Sequence, residues 1–308
     1  YLLDDTVTFN GANITTGTNN LGTSVGILFD AGITGAYTMN NASVNAKNGV
    51  GIYLGGAGMT LNHNGNVTTE NGIGIYVPTG TTLATGTSTM NINGGTGVYV
   101  DGGTANLGTT GNLTFNFLAG GGIGVFNNGG TLNLGNNITV TGSGSLAATS
   151  NGSLNSTGNL NIGEGATGML GTYDGTMTGP QSISNTGGTI TAVSGGIGLV
   201  ALKGTTNPGF PVTINNTGTI NASGVSTTNT PSIGVYTDVA NVVNTGNINV
   251  GSKGIGIYSA NNGILTSVQN NNMTMTGTEG IGVYIKGATN GLTANNIAST
   301  GSRNTGVV

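Results

Sequence analysis

The chain has 308 residues, of which 62 are glycine, nine are acidic, five are basic and none is cysteine. A net charge of −4 with so few basic residues argues against nucleic acid as a partner, because nucleic acid needs a clustered positive surface. No apolar run approaches the roughly 20 residues of a membrane-spanning helix, and the recurring short hydrophobic patterns argue against disorder.

A five-residue block of glycine, aliphatic and aromatic residues recurs along the chain. It reads GIGIY at 72–76 and 254–258, GIGVF at 122–126 and GIGVY at 280–284. The second glycine of each copy stands at Gly26, Gly51, Gly74, Gly97, Gly124, Gly168, Gly198, Gly234, Gly256, Gly282 and Gly306. The spacings are 25, 23, 23, 27, 44, 30, 36, 22, 26 and 24 residues, and a degenerate copy at 144–146 divides the longest. This period of 22 to 27 residues predicts one turn of a β-solenoid.

Between the blocks, apolar and small polar residues alternate, as in Met59-Thr60-Leu61 and Val212-Thr213-Ile214. This alternation predicts short strands with one buried face. A second motif, Asn-Thr-Gly-X-Ile, occurs at 216–220 and 244–248, and its asparagine and glycine predict turns. The sequence therefore predicts an all-β chain, with residues 1–308 forming a single β-helix segment of about twelve turns. One turn buries too little apolar surface to offset its ordering entropy, so stability must come from stacked neighbours.

Alternation within the block places Ile73 and Ile75 on one face and Gly74 and Tyr76 on the other. We expect the aliphatic residues inside and an aromatic column outside, with each glycine leaving room for a ring over the backbone. The predicted structural ladder consists of Phe29, Tyr53, Tyr76, Tyr99, Phe126, Tyr236, Tyr258 and Tyr284. The alternative interpretation is a binding stripe for sugars or proteins, but regularity along the chain favours architecture.

Catalytic and metal-binding patterns are weak. The only histidine, His63, is predicted to face solvent near a turn, and the single G-x-G-x-x-G match at 163–168 has no following helix. Lys253 and Glu279 occupy equivalent positions on adjacent turns and are predicted to stack as an ion pair. We therefore predict no catalytic residue, no metal site and no cofactor.

The longest intervals predict surface loops inserted into the repeat. Prolines at 180, 208, 211 and 231 cannot take part fully in a strand ladder, so insertions are expected around 171–190, 201–213 and 221–232. Loops on a rigid scaffold commonly carry recognition. The candidate binding loop is 203–212, with Lys203, Asn207 and Phe210 as candidate contact residues; a tolerated insertion without a role is the alternative.

The blocks at 254–258 and 280–284, with the motif at 216–220, resemble the passenger regions of large fusobacterial type V autotransporter adhesins. The resemblance covers nearly the whole chain and implies a right-handed parallel β-helix, secreted through the outer membrane and exposed at the cell surface. It implies attachment to host-cell proteins, host glycans or other bacteria; members include binders of galactose-containing sugars and ligands of inhibitory immune receptors. The signal peptide and C-terminal membrane barrel of that family are missing here, so the chain is interpreted as a fragment whose membrane contact would run only through such a barrel.

These features together predict a monomeric adhesin segment without enzymatic activity. One alternative is a passive stalk that presents a binding tip elsewhere. Another is a glycan-degrading enzyme of the β-helix type, which would need carboxylates gathered on one face.

Overall fold

The computed structural model describes residues 8–16, 24–135, 137–260, 266–287 and 291–308. The chain divides into two compact units, Tyr1–Ala148 and Thr149–Val308. Every regular element among the described residues is a β-strand, and no helix there is long and apolar enough to cross a membrane. Within each unit, parallel strands of successive turns pair in register, which makes each unit a parallel β-solenoid.

Each turn contains two kinds of strand, which we call A strands and B strands. The A strands of unit 1 are β1 (Thr8–Asn10), β2 (Asn13–Thr15), β4 (Gly35–Lys47), β6 (Met59–Glu70), β8 (Thr82–Thr85), β9 (Ser88–Asn93), β11 (Thr104–Leu107), β12 (Leu113–Phe117), β14 (Thr131–Leu134) and β15 (Ile138–Thr141). The B strands are β3 (Val25–Phe29), β5 (Val50–Leu54), β7 (Ile73–Pro78), β10 (Thr96–Asp101), β13 (Ile123–Asn128) and β16 (Ser145–Ser150), the last of which contains the boundary between the units.

Unit 2 repeats this arrangement. Its A strands are β17 (Leu154–Ser156), β18 (Leu160–Ile162), β20 (Gln181–Asn185), β21 (Thr189–Val193), β23 (Val212–Asn216), β24 (Thr219–Ser223), β26 (Asn241–Val250), β28 (Ser267–Met275), β30 (Gly291–Ala294) and β31 (Ile297–Ser299). Its B strands are β19 (Thr167–Tyr173), β22 (Ile197–Lys203), β25 (Ile233–Thr237), β27 (Ile255–Ala260), β29 (Ile281–Lys286) and β32 (Thr305–Val307).

The core of each unit is built from columns of aliphatic side chains contributed by equivalent positions of successive turns. In unit 1, Ile52, Ile75 and Val98 are aligned by the register of the B strands and are fully buried. In unit 2, Leu199, Val235 and Ile257 form the equivalent column. Alternation of inward and outward residues supplies these columns along most of each strand, and the B strands interrupt it at the block glycine.

The predicted all-β, parallel β-helix architecture is confirmed. The strands define about eleven turns, one fewer than the sequence predicts. Where two A strands flank a tight corner they merge into one long strand, as in β6, and elsewhere they remain separate, as in β8 and β9. The right-handed coiling of the β-helix and the single segment over 1–308 stay predictions.

The second glycine of the block lies where the backbones of adjacent turns approach each other closely, as Gly97 and Gly234 show. A Cβ added to Gly97 would lie 2.7 Å from the carbonyl oxygen of Gly124 and 3.0 Å from Ile92 Cδ1; at Gly234 it would lie 2.7 Å from the carbonyl oxygen of Gly256. These glycines therefore face the next turn and the interior, rather than a ring outside. The prediction that these glycines leave room for an aromatic ring is therefore wrong.

The same local geometry changes the predicted alternation within the block. Ile73 is half-buried, whereas Gly74, Ile75 and Val77 are buried. Gly74 and Ile75 are consecutive residues, yet both face inward. The reason is that the glycine is directed toward a backbone carbonyl of the neighbouring turn. The prediction that Ile73 shares the inner face with Ile75 is wrong for this reason.

A ladder of buried asparagines runs through unit 2. Asn185 Nδ2 donates to Asn216 Oδ1 at 2.8 Å, Asn216 Nδ2 to Asn244 Oδ1 at 2.7 Å, and Asn244 Nδ2 to Asn270 Oδ1 at 2.7 Å. The asparagine of the Asn-Thr-Gly motif therefore belongs to an interior column of hydrogen-bonded side chains, in addition to being a turn residue. At the start of the ladder, Asn185 Oδ1 has no partner among the described residues.

The loop insertions are shorter than predicted. The segments without regular ladder pairing are 174–180, 204–211 and 224–232, whereas the predicted flanks 171–173, 201–203 and 221–223 belong to β19, β22 and β24. The predicted ranges were too wide because the flanking residues continue the alternation of the strands and pair with the neighbouring turns.

We predict that Gly97→Ala destabilises the protein strongly. The added methyl group meets a backbone oxygen that cannot rotate away, so the two turns must separate. Overpacking of this kind costs typically about 1–3 kcal/mol. Urea unfolding followed by circular dichroism should show a loss of about 2 kcal/mol or more, whereas Gly32→Ala, where a Cβ would meet nothing within 4 Å, should leave the midpoint unchanged. Equal stability of the two variants would contradict the close-approach role.

We also predict that Asn216→Ala destabilises the protein, because it removes two of the three bonds of the asparagine ladder. Asn244 Oδ1 loses its buried donor, while Asn185 Nδ2 keeps its bond to the Gly188 carbonyl, and an unsatisfied buried group costs about 1–3 kcal/mol. The free energy of unfolding should fall by about 2 kcal/mol. The matched control is Asn215→Ala, which alters the neighbouring half-exposed residue and should change stability by less than about 0.5 kcal/mol.

Candidate functional site

The aromatic column is a stack of parallel rings on the outer face of the B strands. In unit 1 the ring centroids of Tyr53, Tyr76, Tyr99 and Phe126 follow one another at 4.8, 5.4 and 5.3 Å. In unit 2, Tyr236, Tyr258 and Tyr284 follow at 5.2 and 4.8 Å. The predicted stacking is confirmed for these seven residues.

Stacking decides what this column can present to a ligand. Because each internal ring is covered on both faces by its neighbours, only ring edges and hydroxyl groups remain accessible. The Tyr76 hydroxyl donates to Asp101 Oδ2, and Asn128 Nδ2 donates to Asp101 Oδ1 at 2.8 Å. Burial, together with the Asp101 carboxylate, raises the pKa of Tyr76. The ring faces that a stacking sugar would need are therefore already occupied within the ladder.

Phe29 is not part of the ladder. The register pairs Leu28 with Tyr53 and places Phe29 opposite Leu54. Phe29 is buried and packs against Tyr37 with ring centroids 5.2 Å apart. In this turn the second glycine of the block is Gly26, so the aromatic position is taken by Leu28, which is 60% exposed. The prediction for Phe29 was wrong by one residue, and one residue reverses the face of a strand side chain.

The candidate binding residues lie at and after the end of β22. Lys203 is the last residue of that strand and is half-buried, and its backbone N–H donates to Asp238 Oδ1 at 2.7 Å. Asn207 is exposed in the following loop, and Phe210 is 42% exposed between Pro208 and Pro211. Lys203 thus belongs to a paired strand, whereas the other two candidate side chains belong to the loop that follows it.

Two of the three insertions form one surface, which we call the loop face and define as residues 174–180 and 204–211. Both segments follow a B strand, so they emerge at equivalent corners of neighbouring turns. The Gly175 N–H donates to Thr206 Oγ1 at 2.9 Å, and the Gln181 N–H donates to the Pro211 carbonyl at 3.2 Å. These bonds hold the segment that carries Phe210 against its neighbour.

The third insertion, 224–232, emerges before a B strand and makes different contacts. Thr227 donates through its N–H and its hydroxyl group to Glu164 Oε1, at 2.7 and 2.6 Å. Both bonds favour the carboxylate, and they lower the pKa of Glu164. The three predicted insertions are therefore two loops that share the loop face and one loop anchored to Glu164.

The ion pairs follow the turn register, but with a different partner from the predicted one. Glu279 Oε1 lies 2.6 Å from Arg303 Nη2 of the following turn, rather than pairing with Lys253. A second pair joins Lys47 and Glu70 at 2.9 Å. Both are exposed and contribute little to stability. Among the described residues, no group of three or more His, Cys, Asp or Glu side chains could hold a metal ion.

His63 lies in the core, which overturns its predicted surface position. Residues 59–64 alternate buried and half-buried, and His63 shares the inner face with Met59 and Leu61. Its column neighbours are Met39 and Thr85. Neither ring nitrogen has a hydrogen-bond partner among the described residues, and burial lowers the pKa of His63 to about 4. The imidazole is thus a neutral core residue at neutral pH.

Comparison with known proteins gives no relative from which a site could be transferred. No protein-family model, curated protein or solved structure matches this chain. The candidate sites therefore depend on the geometry described above.

We predict that His63 makes the protein acid-sensitive. Its folded pKa of about 4 lies below the ordinary 6.5, so the unfolded chain binds a proton first. Its contribution to stability is complete above pH 6.5 and is lost as the pH falls toward 4. Each unit of pKa difference corresponds to about 1.4 kcal/mol, so the loss approaches about 3 kcal/mol.

The measurement compares the free energy of unfolding of the wild type and of His63→Met between pH 7.5 and 4. Methionine is the residue of the neighbouring column position, and His63 is the only histidine in the chain, so the carboxylates contribute equally to both proteins. The wild type should lose about 3 kcal/mol more than the variant. Parallel pH profiles would show that His63 is not buried as a neutral group.

Proposed function

We propose that this chain is a surface-exposed adhesin segment of an autotransporter passenger, which attaches to a host-cell protein, a host glycan or another bacterium. The observation that carries the proposal is the exposed ring of Phe210, held between two prolines on the loop face. The proposal places the chain at the cell surface, as a monomer whose contacts with partners involve binding rather than catalysis.

The proposal is supported by the way in which the paired strands restrain the loop that carries Phe210. Stacked turns fix the ends of the loop to the ladders of β22 and β23. Pro208 and Pro211 restrict the backbone around Phe210, and Thr206 bonds the loop to its neighbour. A partner would therefore meet an aromatic side chain on a restrained backbone, and a restrained loop loses less entropy on binding. Aromatic anchors of this kind commonly dominate the binding energy of interfaces.

The second candidate function is a passive stalk. It is favoured by the unbroken side-chain columns within each unit, such as the rings of Tyr53 to Phe126, which serve architecture. A stalk needs stacked turns and no partner of its own. The two candidates differ in one measurable property, which is binding by the isolated chain.

We predict that the purified 308-residue chain binds epithelial cells and that Phe210→Ser weakens this binding by about tenfold or more, as loss of a central aromatic anchor does. The matched control is Val193→Ser, also in unit 2, because Val193 is 40% exposed and Phe210 is 42% exposed. Fluorescent chain and flow cytometry give the binding curves.

Unchanged binding by Phe210→Ser would remove the loop face from the proposal. No saturable binding by the wild-type chain, with circular dichroism showing a folded protein, would favour the stalk.

A further inference from the structure

Unit 1 contains a groove of 510 Å³ at the corner between its two A strands. The corner changes length from turn to turn. In β4 and β6 the chain passes the corner within one strand, while two residues separate β8 from β9 and five, 108–112, separate β11 from β12. The groove lies at this step, where the longer corner carrying Thr110 stands beside the shorter ones. Its volume falls within the range of ligand sites, roughly 300–1,000 Å³.

The lining of the groove is uncharged and polar. It consists of asparagine amides, serine and threonine hydroxyl groups, glycine and one alanine, at Asn41, Ala42, Asn64, Gly65, Asn66, Gly86, Thr87, Ser88, Thr89 and Thr110. No lining residue is charged or aromatic. A charged ligand would lose hydration without meeting an opposite charge, and an apolar ligand would find little apolar surface.

Some of these groups hold the groove in shape. Asn64 Nδ2 donates to Asn40 Oδ1 at 3.1 Å, and the Gly86 N–H donates to Asn64 Oδ1 at 3.1 Å. Ser88 Oγ donates to the Gly65 carbonyl. The amide of Asn64 and the hydroxyl group of Ser88 are therefore committed to the floor, which is fixed before any ligand arrives.

The remaining polar side chains have no such role. Asn41, Asn66, Thr87 and Thr110 are exposed and Thr89 is half-exposed. None of the five side chains makes a hydrogen bond within the part of the chain that the structure describes. Amides and hydroxyl groups can both donate and accept, so the groove presents mixed hydrogen-bonding groups along neighbouring turns.

We propose that this groove binds an uncharged oligosaccharide. Sugar hydroxyl groups also donate and accept, and they match a lining of amides and hydroxyl groups without charge. A peptide added as a strand is disfavoured, because β6 is already paired with β4 on one side and with β8 and β9 on the other. The inference deepens the proposed attachment function by naming a ligand class, at a site that does not include the loop face.

The affinity follows from the chemistry of the lining. Each hydrogen bond to the sugar replaces one with water, so its net contribution to the affinity is small. Three or four such bonds without apolar burial correspond to a dissociation constant of about 1 mM. Binding by one groove is therefore weak.

The test is a titration of the isotope-labelled 308-residue chain followed by amide NMR spectra. The probes are lactose, maltotetraose, cellotetraose and chitotetraose, with sialyllactose as the charged probe and an uncharged Ser/Asn hexapeptide amide as the peptide probe. At least one uncharged sugar should give saturable shifts, confined to residues 41–42, 64–66, 86–89 and 110, with a dissociation constant of about 1 mM.

The double variant Thr87→Val and Thr89→Val keeps the side-chain shape and removes two hydroxyl groups. It should weaken sugar binding by about tenfold, corresponding to two lost hydrogen bonds. Thr213→Val, on a half-exposed strand position of unit 2, is the control and should leave the affinity unchanged. The amide spectra show directly whether each variant is folded.

The proposal is overturned if no uncharged sugar gives saturable shifts, if the double variant binds as well as the wild type, or if sialyllactose or the peptide is the preferred ligand. Phe210→Ser should keep the sugar shifts. If cell binding fails while the sugar shifts persist, the attachment function fails and the groove stands. If cell binding depends on Phe210 and no sugar shift occurs, the groove alone fails.

Discussion

The close approach of backbones at the second glycine of each block is the constraint on which the rest of the structure depends. A Cβ at Gly97 would lie 2.7 Å from the carbonyl oxygen of Gly124, so glycine lets the backbones of these two turns pair closely there. Once this position is fixed, the strand register follows, because the pairing places Val98 over Val125 and Tyr99 over Phe126. The close pairing at this glycine therefore aligns both the aliphatic core and the outer ring stack.

Stacking in register also determines which polar residues the interior can hold. An asparagine at the same position of successive turns finds its partner in its neighbours, as Asn216 does between Asn185 and Asn244. A polar residue that occurs only once finds no such partner. His63 stands between Met39 and Thr85, and neither of its ring nitrogens has a partner in the described part of the chain. A buried asparagine that repeats from turn to turn gains a stabilising hydrogen bond. Burial of a single imidazole without a partner instead lowers its pKa.

Much of the architecture could be predicted from the sequence, because spacing and alternation report the register directly. The glycine spacing identified the turns, and the tyrosines of the block identified the ring stack. Phe29 and His63 were misplaced because each was assigned from residue type, whereas strand alternation from Ile27 and from Leu61 fixes their faces. The asparagine ladder had a signal in the recurring Asn-Thr-Gly motif. The polar groove had none, since it depends on how corner lengths differ between neighbouring turns.

Recognition in such a fold is expected where the repeat changes rather than where it is constant. In a constant column each side chain is covered by the equivalent side chain of the next turn, which is why the faces of Tyr76 are occupied by Tyr53 and Tyr99. A change in segment length removes that cover. An added segment exposes Phe210 in unit 2, and a step in corner length leaves the side chain of Thr87 exposed at the groove in unit 1. The same stacking that stabilises each unit therefore confines its available binding groups to the irregular positions.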